Sequence, residues 1–295
     1  MIAAGEHRNP KNFGLVNPNL NYSVDREFLE REMTKAESAG EESVRGFLAK
    51  HLNVEIGLAL RSDRWSGADF WERQGTAGLT LAEVIQRSDV LAVGIDGGGL
   101  DDLLGIAVVG RDSRTRDWLH WGHAWAHPSV LERRKSEAGR FKDFAAQGDL
   151  TLVDDMPQDV NEVAGIVFQV WSSGKLDKIG CDPVGIGAIV DAIVELGIEQ
   201  ELIVGISQGW RLAGAIKTAE RKLAEGGLHH GGSPLMAWCV SNARVEPRAN
   251  STLITKQASG TAKIDPLMAL FNAVELMSRN PGGNVIDSSY ELVLI

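Results

Sequence analysis

Cysteine is scarce in this 295-residue chain, which has only Cys181 and Cys239. Two thiols cannot build a disulfide framework, and they form no zinc cluster; both read as buried thiols. Long apolar runs are missing too, and none approaches the ~18 residues of a membrane helix. The first ten residues lack the basic-then-apolar plan of a signal peptide. Together these absences point to a protein of the reducing cytoplasm that is neither secreted nor held in a membrane. There is no Gly-x-x-x-x-Gly-Lys-Ser/Thr loop for nucleotide phosphates, no internal repeat and no low-complexity tract.

What is present is globular in character: 43% hydrophobic and 24% charged residues. The length suits one large domain, or one domain with an extension. Thirty basic and 40 acidic residues leave a net charge of −10. An acidic excess ordinarily argues against nucleic acid, but here it is unevenly spread. From Ser207 to Lys263 the balance is +5, leaving −15 for the remainder.

Residues 1 to 88 read as an N-terminal arm. An Asn- and Pro-rich lead-in precedes two stretches of helical spacing, Asp25 to Lys35 and Glu41 to Leu52. From Asp89 the pattern becomes regular, and residues 89–295 read as the main domain. Val90 to Ile95, Leu103 to Val109 and Trp118 to Ala126 predict a three-stranded antiparallel meander. Trp118, Trp121 and Trp125 there read as sheet packing. A helix from Ser129 to Gln147, a short strand at Leu150 to Val153 and a helix from Val160 to Trp171 follow. Leu176 to Cys181 is a buried strand, Gly185 to Leu196 a helix, Leu202 to Ile206 a strand and Arg211 to Glu225 a helix. A hairpin over Ala243 to Thr255 and an amphipathic helix from Asp265 to Arg279 complete the pattern. This order is that of an α/β, ribonuclease-H-like mixed sheet flanked by helices. In such a sheet the first and fourth strands are parallel neighbours, and ligands sit at their C-terminal ends.

That order brings three carboxylates together. Asp96 ends the first strand, Asp182 ends the later parallel strand, and Asp265 starts the last helix. Each also has a plain local reading. Asp96 and Asp182 suit turns, and Asp265 before Pro266 suits a helix cap. Converging on one point, the three would repel unless cations lay between them. Hard oxygen ligands suit Mg²⁺ or Mn²⁺, and two such ions can activate water and stabilise the leaving oxygen of a phosphodiester. Asp102, six residues beyond Asp96, could reach the same ions. Lys263, Arg244, Arg248 and Lys256 would suit phosphate contacts on DNA, although solvated loop charges look the same in a sequence. His229 and His230 read as polar loop residues, and the apolar tail Tyr290 to Ile295 as packing.

These residues carry a family resemblance. Gly94-Ile95-Asp96 with Asp102-Leu103, Gly180-Cys181-Asp182-Pro183 and Lys263-Ile264-Asp265 resemble the three nuclease motifs of the tailed-phage terminase large subunit. His230-Gly231-Gly232-Ser233-Pro234 and Trp238-Cys239-Val240-Ser241-Asn242 resemble the segment between the second and third motifs. Asn17-Pro18-Asn19-Leu20 and His51-Leu52-Asn53 resemble the join between motor and nuclease. The resemblance implies a Mg²⁺- or Mn²⁺-dependent endonuclease that cuts double-stranded phage DNA during packaging. It also implies an ATPase motor domain, a small terminase subunit and a portal protein as partners, in the host cytoplasm and transiently at the procapsid portal. The missing phosphate loop departs from the whole subunit, so the chain looks like the nuclease half alone. Two other readings stay open. Asp96-Gly97-Gly98-Gly99 resembles the first phosphate loop of actin-like and sugar-kinase ATPases, and the acids could merely cap helices in a non-catalytic docking module.

Overall fold

The computed structural model describes residues 9–17, 19–52, 64–99, 101–248, 251–255 and 263–282, in two units divided between Arg64 and Trp65. The first unit holds α1 (Phe13–Val16), α2 (Arg26–Ala39) and α3 (Glu41–Leu52). Helically spaced apolar residues give α2 and α3 one buried face each. Leu29, Met33, Val44 and Phe47 meet Phe13 and Leu52 in a small core of their own. The division falls earlier than residue 88. Trp65, fully buried, meets Phe271 edge-on at 5.2 Å, and Trp71 is buried as well. These two aromatics, set among polar neighbours in the sequence, draw α4 (Ala68–Trp71) into the second unit, and Leu81 and Val84 of α5 (Leu81–Arg87) pack into that unit's other core cluster.

In that unit β1 (Ser88–Gly97), β2 (Leu104–Asp112) and β3 (Trp118–Ala126) form the expected antiparallel meander. The chain continues through α6 (Ser129–Arg133), α7 (Ala138–Ala146), β4 (Leu150–Leu152), α8 (Met156–Ser172), β5 (Leu176–Cys181) and α9 (Gly187–Glu195). Then come β6 (Ile203–Gly205), α10 (Ala213–Glu225), β7 (Leu228–His230), α11 (Pro234–Asn242), the hairpin β8 (Arg244–Arg248) and β9 (Ser251–Thr255), and α12 (Asp265–Met277). The sheet order is β4-β3-β2-β1-β5-β6, with β7 also on β3. This is a ribonuclease-H-like mixed sheet with helices on both faces.

Two expectations are corrected. The parallel neighbour of β1 is the fifth strand, because the short β4 pairs with β3 on the far edge. The single helix expected from Ser129 to Gln147 is two helices. Arg134 leaves helical geometry at φ −119° and ψ 59°, and its guanidinium reaches Asp101 at 3.1 Å.

Side chains alternate across β1. Leu91, Val93 and Ile95 pack on one face with Val163 and Val167 of α8 and Ile189 and Ile193 of α9. Val90 and Ala92 face the other way, toward α12. At Gly94, on that second face, a Cβ would lie 2.0 Å from the Ala269 carbonyl oxygen and 2.6 Å from the Ala273 nitrogen. Glycine there lets the α12 backbone rest directly on the strand. Gly105 of β2 does the same for Pro266, whose Cα is 2.8 Å from a Cβ placed at 105. Asn272, fully buried in α12, donates to the Ile95 carbonyl at 2.9 Å and accepts from Gln208 Nε2 at 3.0 Å. The last helix is thereby fixed at the C-terminal end of β1.

Candidate metal centre

Asp96 lies near the end of β1, opposite Gly105, and is 7% exposed. By alternation its side chain falls on the α12 face. Ile95 pairs with Cys181 of β5, so Asp96 and Asp182 are the next residue on each of two parallel strands. Such strands lie ~4.8 Å apart. Asp265 is fully buried in the first turn of α12, with its Cβ 3.4 Å from where a Cβ on Gly97 would stand. The helix begins at Asp265 itself, and the cap position is Ile264. A carboxylate in a first turn is favoured by the helix dipole. The three predicted acids therefore share one end of the sheet, on the side covered by α12.

Their surroundings differ. Asp182 is half-buried, and its Oδ1 accepts from the Val184 amide at 3.0 Å, holding the turn at Pro183. Burial, with the Asp182 charge adding to it, pushes the Cys181 thiol up to about 11, so it stays a protonated, packed group. Asp102 pairs with Lys263. Lys263 Nζ is 2.5 Å from Asp102 Oδ1 and also donates to the Asp101 carbonyl.

Several expected phosphate contacts are placed otherwise. Lys263 is 6% exposed, and its ammonium turns inward onto Asp102. Arg244 is buried, donating from Nη1 to the Ser241 and Ala243 carbonyls at 2.9 and 3.0 Å. It satisfies carbonyls at the end of α11, the usual need of a helix C-terminus. Arg248 lies on the expected hairpin, but its side chain, Lys256 and the tail from Tyr290 to Ile295 lie outside the described residues. His229 and His230 are on β7 rather than a loop, because their backbone extends the edge of β3. His230 stacks on Trp71 at 3.9 Å and bonds the Trp71 carbonyl through Nε2 at 2.8 Å, away from the carboxylates. Trp118 and Trp125 pack into the two core clusters, on opposite faces of β3. Sequence reasoning missed Asn272 and Gly105. Asn272 had a signal, a lone amide within the apolar run of the last helix.

Among the described residues no group of three or more His, Cys, Asp or Glu side chains is gathered closely enough to hold an ion. The acids lie at the same end of the sheet without forming such a group. The donor chemistry still fits a hard divalent cation: three carboxylates at one sheet end, two of them buried, where an unneutralised charge is costly.

The chain matches the family described as "Terminase large subunit, endonuclease domain" over residues 1–280. It is 24% identical over 270 residues to Protein YmfN of Escherichia coli (strain K12), covering 88% of this chain and 57% of that protein. The large terminase of bacteriophage HK97 is similar in structure, with a TM-score of 0.60, 19% identity, and coverage of 93% of this chain and 55% of that one. A further similar structure is the large terminase nuclease of thermophilic phage G20c with bound magnesium, at a TM-score of 0.43 and 12% identity, covering 73% of this chain and 98% of that one. The chain thus spans little more than half the length of YmfN and of the HK97 subunit.

Proposed function

Because the chain belongs to the terminase large subunit endonuclease-domain family, we propose that it cuts double-stranded phage DNA during genome packaging in a divalent-metal-dependent reaction. The observation that supports this most directly is the placement of Asp96, Asp182 and Asp265 at one end of the sheet. These three would hold Mg²⁺ or Mn²⁺, two ions by the chemistry of phosphodiester hydrolysis, with Asp102 assisting. Bound there, the ions would supply an activated water and neutralise charge at the leaving oxygen.

The chain's own residues do the positioning. Asp96 is carried by a strand with partners on both sides, and Asp265 by a helix seated on Gly94 and Gly105. Asp182, half-buried on a turn, has the most room to close toward the other two. Of the basic stretch from Ser207 to Lys263, the side chains other than the inward-turned Arg244 and Lys263 would guide the DNA backbone. The motor domain, small subunit and portal protein are proposed as partners in the host cytoplasm and at the procapsid portal.

The test is nicking of supercoiled plasmid with Mg²⁺ or Mn²⁺. Wild type should nick, and Asp182→Ala should lose about 100-fold or more, since loss even of a residue that only supports a metal ligand costs about 10–100-fold. No metal-dependent nicking, or equal nicking by the variant, refutes the assignment. ATP binding without nicking would favour the kinase-like reading.

A further inference from the structure

Two apolar side chains at the carboxylate end of the sheet are left uncovered. Among the described residues of the second unit, the most exposed large apolar side chains are Val184, at 80%, and Trp210, at 64%. Both stand in loops that leave parallel strands at that end. Val184 is two residues past Asp182, in the loop after β5. A Cβ on Gly205 would stand 3.6 Å from Pro183 Cβ, so this loop abuts the end of β6. Trp210 lies in the loop after β6. Gly205 pairs with Cys181, and the Ile206 amide donates to the Cys181 carbonyl at 2.8 Å. The second loop therefore starts level with Asp182. Asp96 is one strand further across, a span of ~10 Å, or about three base pairs at 3.4 Å each.

The Trp210 loop is anchored on both sides. Gln208 Nε2 donates to the Ile206 carbonyl at 3.1 Å and to Asn272 Oδ1 at 3.0 Å, and Asn272 holds the Ile95 carbonyl. Leu212, 1% exposed, packs with Ile206 in the core cluster that includes α12. Between these anchors Gly209 turns at φ +70°, a conformation that favours glycine. An indole held this firmly in solvent forgoes the burial an aromatic ring otherwise gains. Arg211 is also exposed, its Cζ 5.2 Å from the indole centroid, and it pairs with no carboxylate among the described residues. The helix α10 starts two residues on, and its N-terminus adds a partial positive charge.

The pairing of these two side chains defines what they meet. An apolar protein surface would suit the indole and leave the guanidinium unneutralised. An anionic one would suit the guanidinium and leave the indole wet. A DNA duplex offers both within a few ångströms, as phosphates beside the apolar sugar edges of the minor groove. We propose that Trp210 and Arg211 hold the duplex about three base pairs from the cut, an inference that rests on the DNA-cutting reading above. Arg211 takes a phosphate, the indole lies on the deoxyribose edges, and Val184 extends the apolar surface toward Asp182.

The experiment uses the full chain with Ca²⁺ and a labelled duplex, read by fluorescence anisotropy across a salt series. Arg211→Gln should weaken binding about fivefold and reduce the salt slope by ~1, the signature of one lost phosphate contact. Trp210→Ala should weaken it about tenfold and leave the slope unchanged, because an apolar contact releases no counterion. Leu196→Ala removes another exposed apolar side chain, at the far end of α9, and should bind as wild type does. Duplex should also shield wild-type tryptophan fluorescence from acrylamide, and this decides alone should the Trp210 variant fail to fold. Equal affinity of wild type and both variants would overturn the proposal, as would acrylamide quenching that duplex leaves unaltered. Wild type that nicks while both variants bind normally would refute this contact alone. Wild type that binds through Trp210 and never nicks would refute the cutting alone, and no duplex binding at all would refute both.

Discussion

Lys263 behaves as an internal cation, its ammonium resting on Asp102 where the sequence suggested a ligand for an external one. A divalent ion recruiting Asp102 must displace it. Lys263→Met should therefore lower the melting temperature without metal, because the buried ion pair between Lys263 and Asp102 is broken. The same variant should gain a larger upward shift from Mg²⁺ or Mn²⁺ than wild type does, since the competing charge is gone. Equal metal-induced shifts in thermal unfolding would show that Asp102 takes no part in ion binding. The buried histidines make a second prediction. Burial lowers His120 to about 3, and burial, with His229 adding to it, lowers His230 to about 4, against 6.5 unfolded. The unfolded chain thus binds more protons between those values, so stability is full above pH 6.5 and is lost as pH falls toward 4 and 3. At pH 5 each histidine should cost about 1–2 kcal/mol, at ~1.4 kcal/mol per pH unit. Urea unfolding at pH 7 and pH 5 measures this, and His120→Phe should flatten the dependence. A slope unchanged by the variant would mean the ring is not held neutral.

At the scale of elements, the site depends on how closely α12 lies on β1. Gly94→Ala sets a Cβ 2.0 Å from a backbone oxygen, so helix or strand must move. Overpacking of that kind costs about 3 kcal/mol, and Asp265 would shift with its helix. Gly139→Ala is the matching control: in α7 a Cβ there meets nothing within 4 Å, and it should stabilise by ~0.5–1 kcal/mol. Opposite changes in denaturation midpoint are expected from the same chemical substitution, and two similar changes would contradict the packing described for α12. These elements also show where the sequence could be read and where it could not. Asp96, Asp182 and Asp265 were legible because each stands at the end of a regular apolar pattern, and strand order then fixes their end of the sheet. The meander, β5 and α12 were legible for the same reason. Lys263 and Arg244 were not, since a long cationic side chain looks alike whether it faces solvent or bends inward onto a carboxylate or a helix end. Trp65 and Trp71 were assigned to the arm because their burial comes from contacts distant in sequence. The break between α6 and α7 was hidden because nothing local shows that Arg134 leaves the helix to reach Asp101.

For the whole molecule, a net charge of −10 has to be reconciled with the polyanionic substrate proposed above. Long-range repulsion and local attraction act together, and their distribution decides which prevails. In the proposed reaction a scissile phosphate would approach the acids of the candidate centre, Asp96, Asp182 and Asp265. Without divalent ions they oppose the phosphate at short range, where screening by salt is weakest. Bound divalent ions would offset that local charge while the rest of the surface is unchanged. DNA affinity should then depend on metal more steeply than on any one basic side chain. In chelator, binding of a duplex should be weak even at low salt. With Ca²⁺, as an ion chosen to bind without promoting cutting, binding should strengthen at least about tenfold and fall steeply with salt as phosphate counterions are released. Asp182→Asn should separate the two contributions. It removes one repelling charge, so binding in chelator should rise slightly, while the gain from Ca²⁺ should shrink. Fluorescence anisotropy of a labelled duplex across a salt series measures all of these. Tight binding in chelator at moderate salt, unchanged by the Asp182 substitution, would place the DNA on another surface and separate the carboxylate cluster from the substrate.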